Sequence, residues 1–142
     1  VEKQMVLTVR VIAPDKTVWD AEAEEIVLPS TTGQLGILSG HAPLLTALDT
    51  GVMRVRANKE WVAIALLGGF AEVEDDEVTV LVNGAERGSN INLEEARAAY
   101  NEATNKLAQV EGSDDRSAKL QAERRLRRAR ARFQAAGGMV QV

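Results

Sequence analysis

Cysteine is absent from the 142-residue chain, which excludes disulfides, thiolate metal sites and thiol catalysis. Histidine occurs once, at His41, so no histidine pair can hold a metal, and a Ser-His-Asp triad would have to be built on this one ring. Aromatic residues are few: Trp19, Trp61, Phe70, Tyr100 and Phe133 complete the set, and a core must come mainly from Val, Ile, Leu and Ala. The longest apolar run, Trp61 to Phe70, spans ten residues, about half the length of a bilayer-crossing helix. The chain is therefore expected to be soluble or peripheral to a membrane. What is present suits one domain or a small domain with an appendage, with 45% hydrophobic and 27% charged residues, a globular balance.

Charge divides the chain in two. Residues 1–90 carry seven Lys/Arg against fourteen Asp/Glu, whereas residues 91–142 carry ten against seven, so the formal sum of -4 joins an acidic part to a basic one. Between Asp115 and Ala136, Arg116, Lys119, Arg124, Arg125, Arg127, Arg128, Arg130 and Arg132 face only two acids, Asp115 and Glu123. Two readings of this density stay open: a solvated helix face, or a surface for an anionic partner. A nucleic acid fits poorly, because the rest of the chain is acidic and would repel a polyanion.

The periodicity changes where the charge does. Val6 to Ile12, Val52 to Arg56 and Val78 to Val82 are β-branched or alternate apolar with polar residues, which predicts strands. Turn residues separate them at Pro14-Asp15, Pro29 to Gly33, Asp49-Thr50-Gly51, Asn58-Lys59, Gly68-Gly69, Asp75-Asp76 and Asn83-Gly84. With no helix-length segment between them, these strands predict an antiparallel β-sandwich or barrel over residues 1–88 rather than parallel α/β units. Trp61 to Leu67 is apolar on both alternations and reads as a strand buried on both faces. Val1 to Gln4 precede the pattern and enter no argument.

After Gly88 the spacing becomes helical. Asn92 with Glu95 forms a capping-box pattern ahead of Leu93, Ala96, Tyr100, Ala103, Leu107 and Val110, the seam of one helix. Glu111 to Asp114 breaks it, with Ser113 or Asp114 as the next cap. Ala118, Ala122, Leu126, Ala129, Phe133 and Ala136 then form a second seam, stopped by Gly137-Gly138. Residues 89–142 are thus expected to be an antiparallel helical hairpin, with the basic residues of its second helix off the seam.

Catalytic machinery is hard to find. His41, between Gly40 and the Ala42-Pro43 pair, suits a hydrogen-bonded structural role. The acidic run Glu72, Glu74, Asp75, Asp76 and Glu77 straddles a predicted hairpin and reads as a solvated turn. Gly33-Gln34-Leu35-Gly36 lacks the Lys-Ser/Thr ending of a phosphate loop. More informative is Ser30 to Gly51, which places Leu35, Ile37, Leu38, Leu44, Leu45 and Leu48 among turn residues. It is either an inward-facing strand and turn of the sandwich or an apolar docking edge.

These residues carry a resemblance. Pro29 to Leu38, His41-Ala42-Pro43-Leu44-Leu45, Gly51 and Gly68 to Val73 together resemble the epsilon subunits of F-type ATP synthases, over about Met5 to Gly138. Val11 to Asp15 and Arg128 to Phe133 resemble the photosynthetic, cyanobacterial or chloroplast, branch. The resemblance implies a β-sandwich followed by a helical hairpin, in a non-catalytic rotor subunit that couples proton flow to ATP synthesis and restrains ATP hydrolysis. It also implies a peripheral position on the cytoplasmic or stromal side of the thylakoid membrane, or on the plasma membrane. Gly33, Leu35, Gly36, Ile37, Leu38, His41, Pro43 and Leu44 lie in the segment that the family directs toward the gamma subunit and the ring of c subunits. Arg124, Arg125, Arg127, Arg128, Arg130 and Arg132 correspond to the part that meets the beta, and alpha, subunits. Some bacterial members bind ATP through Ile/Leu-Asp-x-x-Arg-Ala. Here the stretch reads Leu93-Glu94-Glu95-Ala96-Arg97-Ala98, with Glu94 in place of Asp, and no cofactor is expected.

Overall fold

The computed structural model describes residues 5–140. Eight strands come first: β1 (Leu7–Ala13), β2 (Lys16–Ala23), β3 (Glu25–Ser30), β4 (Gly33–Leu38), β5 (Leu44–Ala57), β6 (Glu60–Glu74), β7 (Glu77–Val82) and β8 (Ala85–Arg87). Two helices follow, α1 (Leu93–Val110) and α2 (Arg116–Ala135). Hydrogen bonding runs in the order β2-β1-β7-β6-β5-β3-β4, with β8 beside β6. One departure from the antiparallel expectation is β1 with β7, which pair in parallel. A parallel pair needs a long crossover, and most of the sandwich lies between these two strands.

The sheet becomes a sandwich because β5 and β6 bend together. Their Leu44–Leu48 and Gly69–Val73 halves lie with β7, β1 and β2, whereas Thr50–Ala57 and Glu60–Leu67 lie with β3, β4 and β8. Asp49-Thr50-Gly51 and Gly68-Gly69, expected as turns, are therefore bends inside long strands. Turn-forming residues mark a departure from straight extended backbone, which a bent strand satisfies as well as a reversal does. At Gly69 (φ 150°) the other strand comes so near that a Cβ would collide with the backbone of Leu81 and Val82. Only glycine fits there.

Alternation fills the interior: Leu7, Val9 and Val11 of β1, Ile26 and Leu28 of β3, Met53 and Val55 of β5, Ile64 and Leu66 of β6, and Val78 and Val80 of β7 are buried in one cluster. Ala65 points the other way, into a second cluster beneath the helices, so β6 is buried on both faces as expected at Ile64–Leu66. Elsewhere in the run Val62, Ala63 and Leu67 are only half-buried, and Trp61 departs furthest from the expectation. It is half exposed, with the Arg56 guanidinium 5.8 Å from its ring centre, because it lies at the strand's end, beyond the cover of the helices.

Asn92 caps α1 as expected, its Oδ1 accepting the Glu95 N–H at 3.0 Å. The cap of α2 is Asp115, which accepts from Ala118 N at 3.1 Å; Ser113 Oγ instead accepts from the Asp115 N–H. At the far end Gly138 N donates to Phe133 O (2.8 Å) and Gly137 N to Gln134 O (3.1 Å). With Gly137 at φ 104°, this is a Schellman stop. The hairpin's seam holds Ala103, Leu126 and Ala129. A second face of α2, absent from the predicted seam, sets Ala131 and Ala135 against Ala65 and docks the hairpin on the outside of β5 and β6. Gly88 makes this approach possible, since a Cβ there would strike the Ala135 carbonyl.

Candidate functional site

The Ser30 to Gly51 segment resolves into β4, a loop over residues 39–43, and the start of β5. β4 ends the sheet, pairing through β3 alone, which leaves Gly33, Gly36 and Leu38 exposed and Leu35 half-buried against the core. Ile37 does not belong to a docking edge: it is fully buried among the core residues. Leu44 also leans inward, and the outward position belongs to Leu45, which is 71% exposed. Pro43 is exposed and His41 half-buried. The His41 Nδ1–H donates to the Ala42 carbonyl at 2.7 Å, a local, structural bond.

The acidic turn is more than a solvated one. Asp76 Oδ2 accepts from Ser39 Oγ and Oδ1 from the Gly40 N–H, both at 2.7 Å, tying the residue 39–43 loop to the β6–β7 hairpin. At the β5–β6 turn, Glu24 accepts the N–H groups of Lys59 (2.8 Å) and Asn58 (3.2 Å). Those bonds, Lys59's foremost, hold its carboxyl below the ordinary carboxylate range against a smaller opposing effect of burial.

One surface escaped sequence reasoning. Ile12 pairs with Leu81, Leu81 with Phe70, and Phe70 with Ala47, and cross-strand partners share a face. Phe70 is 59% and Leu81 53% exposed, so an apolar row crosses four strands on the outside of the sandwich, with Leu45 two residues from its end. The available signal was parity: Leu81 sits on the same alternation as Thr79, opposite to buried Val78 and Val80.

The basic helix is only partly free. Arg132 Nε donates to Glu86 Oε2 of β8 at 2.6 Å and Arg125 Nη2 to Glu102 Oε1 of α1 at 3.1 Å. Arg124, Arg127, Arg128 and Arg130 line a cleft of about 740 Å³ between α2 and the β5–β6 bend, whose other walls include Asp49, Gly68 and Gln134. Lying off the α1–α2 seam therefore does not leave these arginines clear of the fold: Arg132 is tied to the sandwich and four others line its cleft with α2. A helix wheel sees only the α1–α2 seam, and α2 has a second neighbour in the sandwich. Glu94 and Arg97 pair with each other at 3.4 Å, and the Arg97 guanidinium lies 5.2 Å from the centre of the Phe133 ring. Among the described residues no cluster of His, Cys, Asp and Glu is placed to hold a metal ion, and no helix is long and apolar enough to cross a membrane.

This architecture has close relatives. The β-sandwich domain of the ATP synthase delta/epsilon chain matches residues 6–88, and the long α-helix domain of the same chain matches residues 89–137. The chain is 76% identical over 138 residues to the ATP synthase epsilon chain of Nostoc punctiforme, covering 96% of this chain and 100% of that one. It is 72% identical over 138 residues to the epsilon chain of Synechococcus elongatus, covering 97% and 100%. In fold it is similar to a chain in the cryo-EM structure of the Euglena gracilis mitochondrial ATP synthase, with a TM-score of 0.78, 22% identity, and 96% and 84% of the two chains covered. Sandwich, bend and docked hairpin together with these matches establish that the chain belongs to the delta/epsilon chain family of ATP synthases.

Proposed function

We propose that the chain is a non-catalytic rotor subunit in the central stalk of a photosynthetic F-type ATP synthase. It lies peripherally on the cytoplasmic or stromal side of the thylakoid membrane, or on the plasma membrane, couples proton flow to ATP synthesis, and restrains ATP hydrolysis. The observation that carries the reading is the apolar row Ile12–Leu81–Phe70–Ala47 with Leu45 beside it. A rotor part must stay attached while torque passes through it, and an exposed apolar face on a sheet is suited to lasting attachment. We assign this row and the adjoining loop with His41 and Pro43 to gamma, and the open edge of β4, with Gly33, Leu35, Gly36 and Leu38, to the c ring. Residues 1–88 then form the coupling unit and residues 89–142 the regulatory one, whose Arg124, Arg127 and Arg128 meet carboxylates of the beta and alpha subunits.

The test is replacement of Phe70 or Leu81 by Asp in the full chain. Each side chain is already more than half exposed, so folding is little affected, whereas an unpaired charge enclosed at the contact costs several kcal/mol, roughly 2–5. Gamma binding should weaken roughly thirtyfold or more. Unchanged binding refutes the assignment. Restraint of hydrolysis is read by adding the chain to an epsilon-depleted ATPase: Arg124, Arg127 and Arg128 changed together to Glu should relieve it, and added salt should relieve it partly, since exposed charge contacts are screened. Full inhibition by the triple variant refutes the charge-based role of α2.

A further inference from the structure

The β6–β7 hairpin turns through Asp75 and Asp76 at φ 50° and 62°, the left-handed pair of a two-residue turn in which glycine and asparagine are the least strained choices. Backbone geometry alone would favour glycine at 76. An aspartate there has another use: its carboxylate crosses to the loop after β4, thirty-six and thirty-seven residues away, and accepts Gly40 N–H and Ser39 Oγ–H at 2.7 Å each. Its backbone carbonyl meanwhile accepts the Thr8 N–H at 2.8 Å, fixing the turn to β1. Charged acceptors make the stronger hydrogen bonds. Two of them on consecutive residues pin a loop whose Gly40 has φ 87° and which leads through Pro43 to exposed Leu45.

We propose that Asp76 is a positioning residue for partner docking. It freezes the residue 39–43 loop in its bound shape, so that the cost of ordering this rim of the apolar face is met on folding and not on association. The inference rests on the assignment of that face to gamma.

The experiment compares full-length Asp76→Gly and Asp76→Asn with the unaltered chain, measuring affinity for the cognate gamma subunit and amide exchange residue by residue. Glycine keeps the turn and removes the tether. Affinity should fall roughly tenfold, which corresponds to the backbone ordering cost of about one residue. Exchange at Gly40 and His41 should accelerate while Val9 and Val80 in the core stay protected. Asparagine keeps an acceptor for Gly40 N–H and can donate to Ser39 Oγ, so it should restore most of the affinity. The inference is overturned if Asp76→Gly binds as the unaltered chain does, if asparagine is as damaging as glycine, or if the core amides loosen together with the loop. Phe70→Asp, run in parallel, separates the two readings. Should it bind normally, the gamma face falls and the positioning role with it; should it fail to bind while Asp76→Gly is unaffected, the positioning role falls alone.

Discussion

Truncating Phe133 to alanine should detach the helical hairpin and leave the sandwich folded. Phe133 is 3% exposed, and the other buried members of the cluster joining hairpin to sheet are Ala65, Ile91, Ala96, Ala131 and Ala135. Four of those five are alanines, so Phe133 is the largest buried side chain at this contact, with Val52, Leu93, Tyr100 and Val140 packed partly buried around it. The ring also stacks on Tyr100, centroids 5.4 Å apart and planes at 17°, and lies beneath the Arg97 guanidinium. Deleting a buried phenylalanine side chain costs about 3–5 kcal/mol. None of these residues belongs to the sandwich core, so the loss falls on docking and shifts the docked-to-undocked ratio about a hundredfold or more. Hydrogen exchange supplies the assay. In Phe133→Ala, amides of α1 and α2 should exchange far faster while those of β1 and β7 keep their protection, and trypsin should cut the α2 arginines sooner. Leu126→Ala, which removes packing between α1 and α2, should loosen the helix pair without the same loss of docking. If α2 in Phe133→Ala stays as protected as before, or the sandwich loosens with it, the contact is not the one that holds the hairpin down.

Two further outcomes concern the sandwich itself. Ile37→Asp should prevent stable folding, because it buries an unpaired carboxylate among Ile26, Leu28 and Val55, whereas Leu45→Asp should leave the melting temperature nearly unchanged; circular dichroism melts decide between an inward and an outward Ile37. Glu24 titrates below the ordinary carboxylate range in the fold, chiefly through the Lys59 N–H. A group so lowered stabilises fully above its unfolded value and loses that contribution as pH falls through the folded one. The stability difference between the unaltered chain and Glu24→Gln, measured by urea unfolding, should therefore be largest near neutral pH and close on acidification, and a difference independent of pH would refute the role given to its charge.

Sequence alone determined what local physics controls. A period of two up to Arg87 and a helical period from Leu93 divide the chain, because each follows from backbone geometry at the residue itself. The Asn92 cap and the Gly137-Gly138 stop are legible for the same reason: their partners lie within a few residues. Tertiary structure decided everything that depends on which neighbour arrives. Gly68-Gly69 could reverse the chain or bend a strand, and only pairing with β5 and β7 made it a bend. Leu44, Leu45 and Ile37 are equally apolar in sequence, but register turned Ile37 inward and Leu45 outward. Ala131 and Ala135 gave no signal as a second face, since one methyl is compatible with solvent or core. Arg132 found Glu86 forty-six residues away, a distance over which spacing carries no information. The apolar row exists only because β1, β7, β6 and β5 lie side by side and bring single outward residues from four separate stretches into one surface.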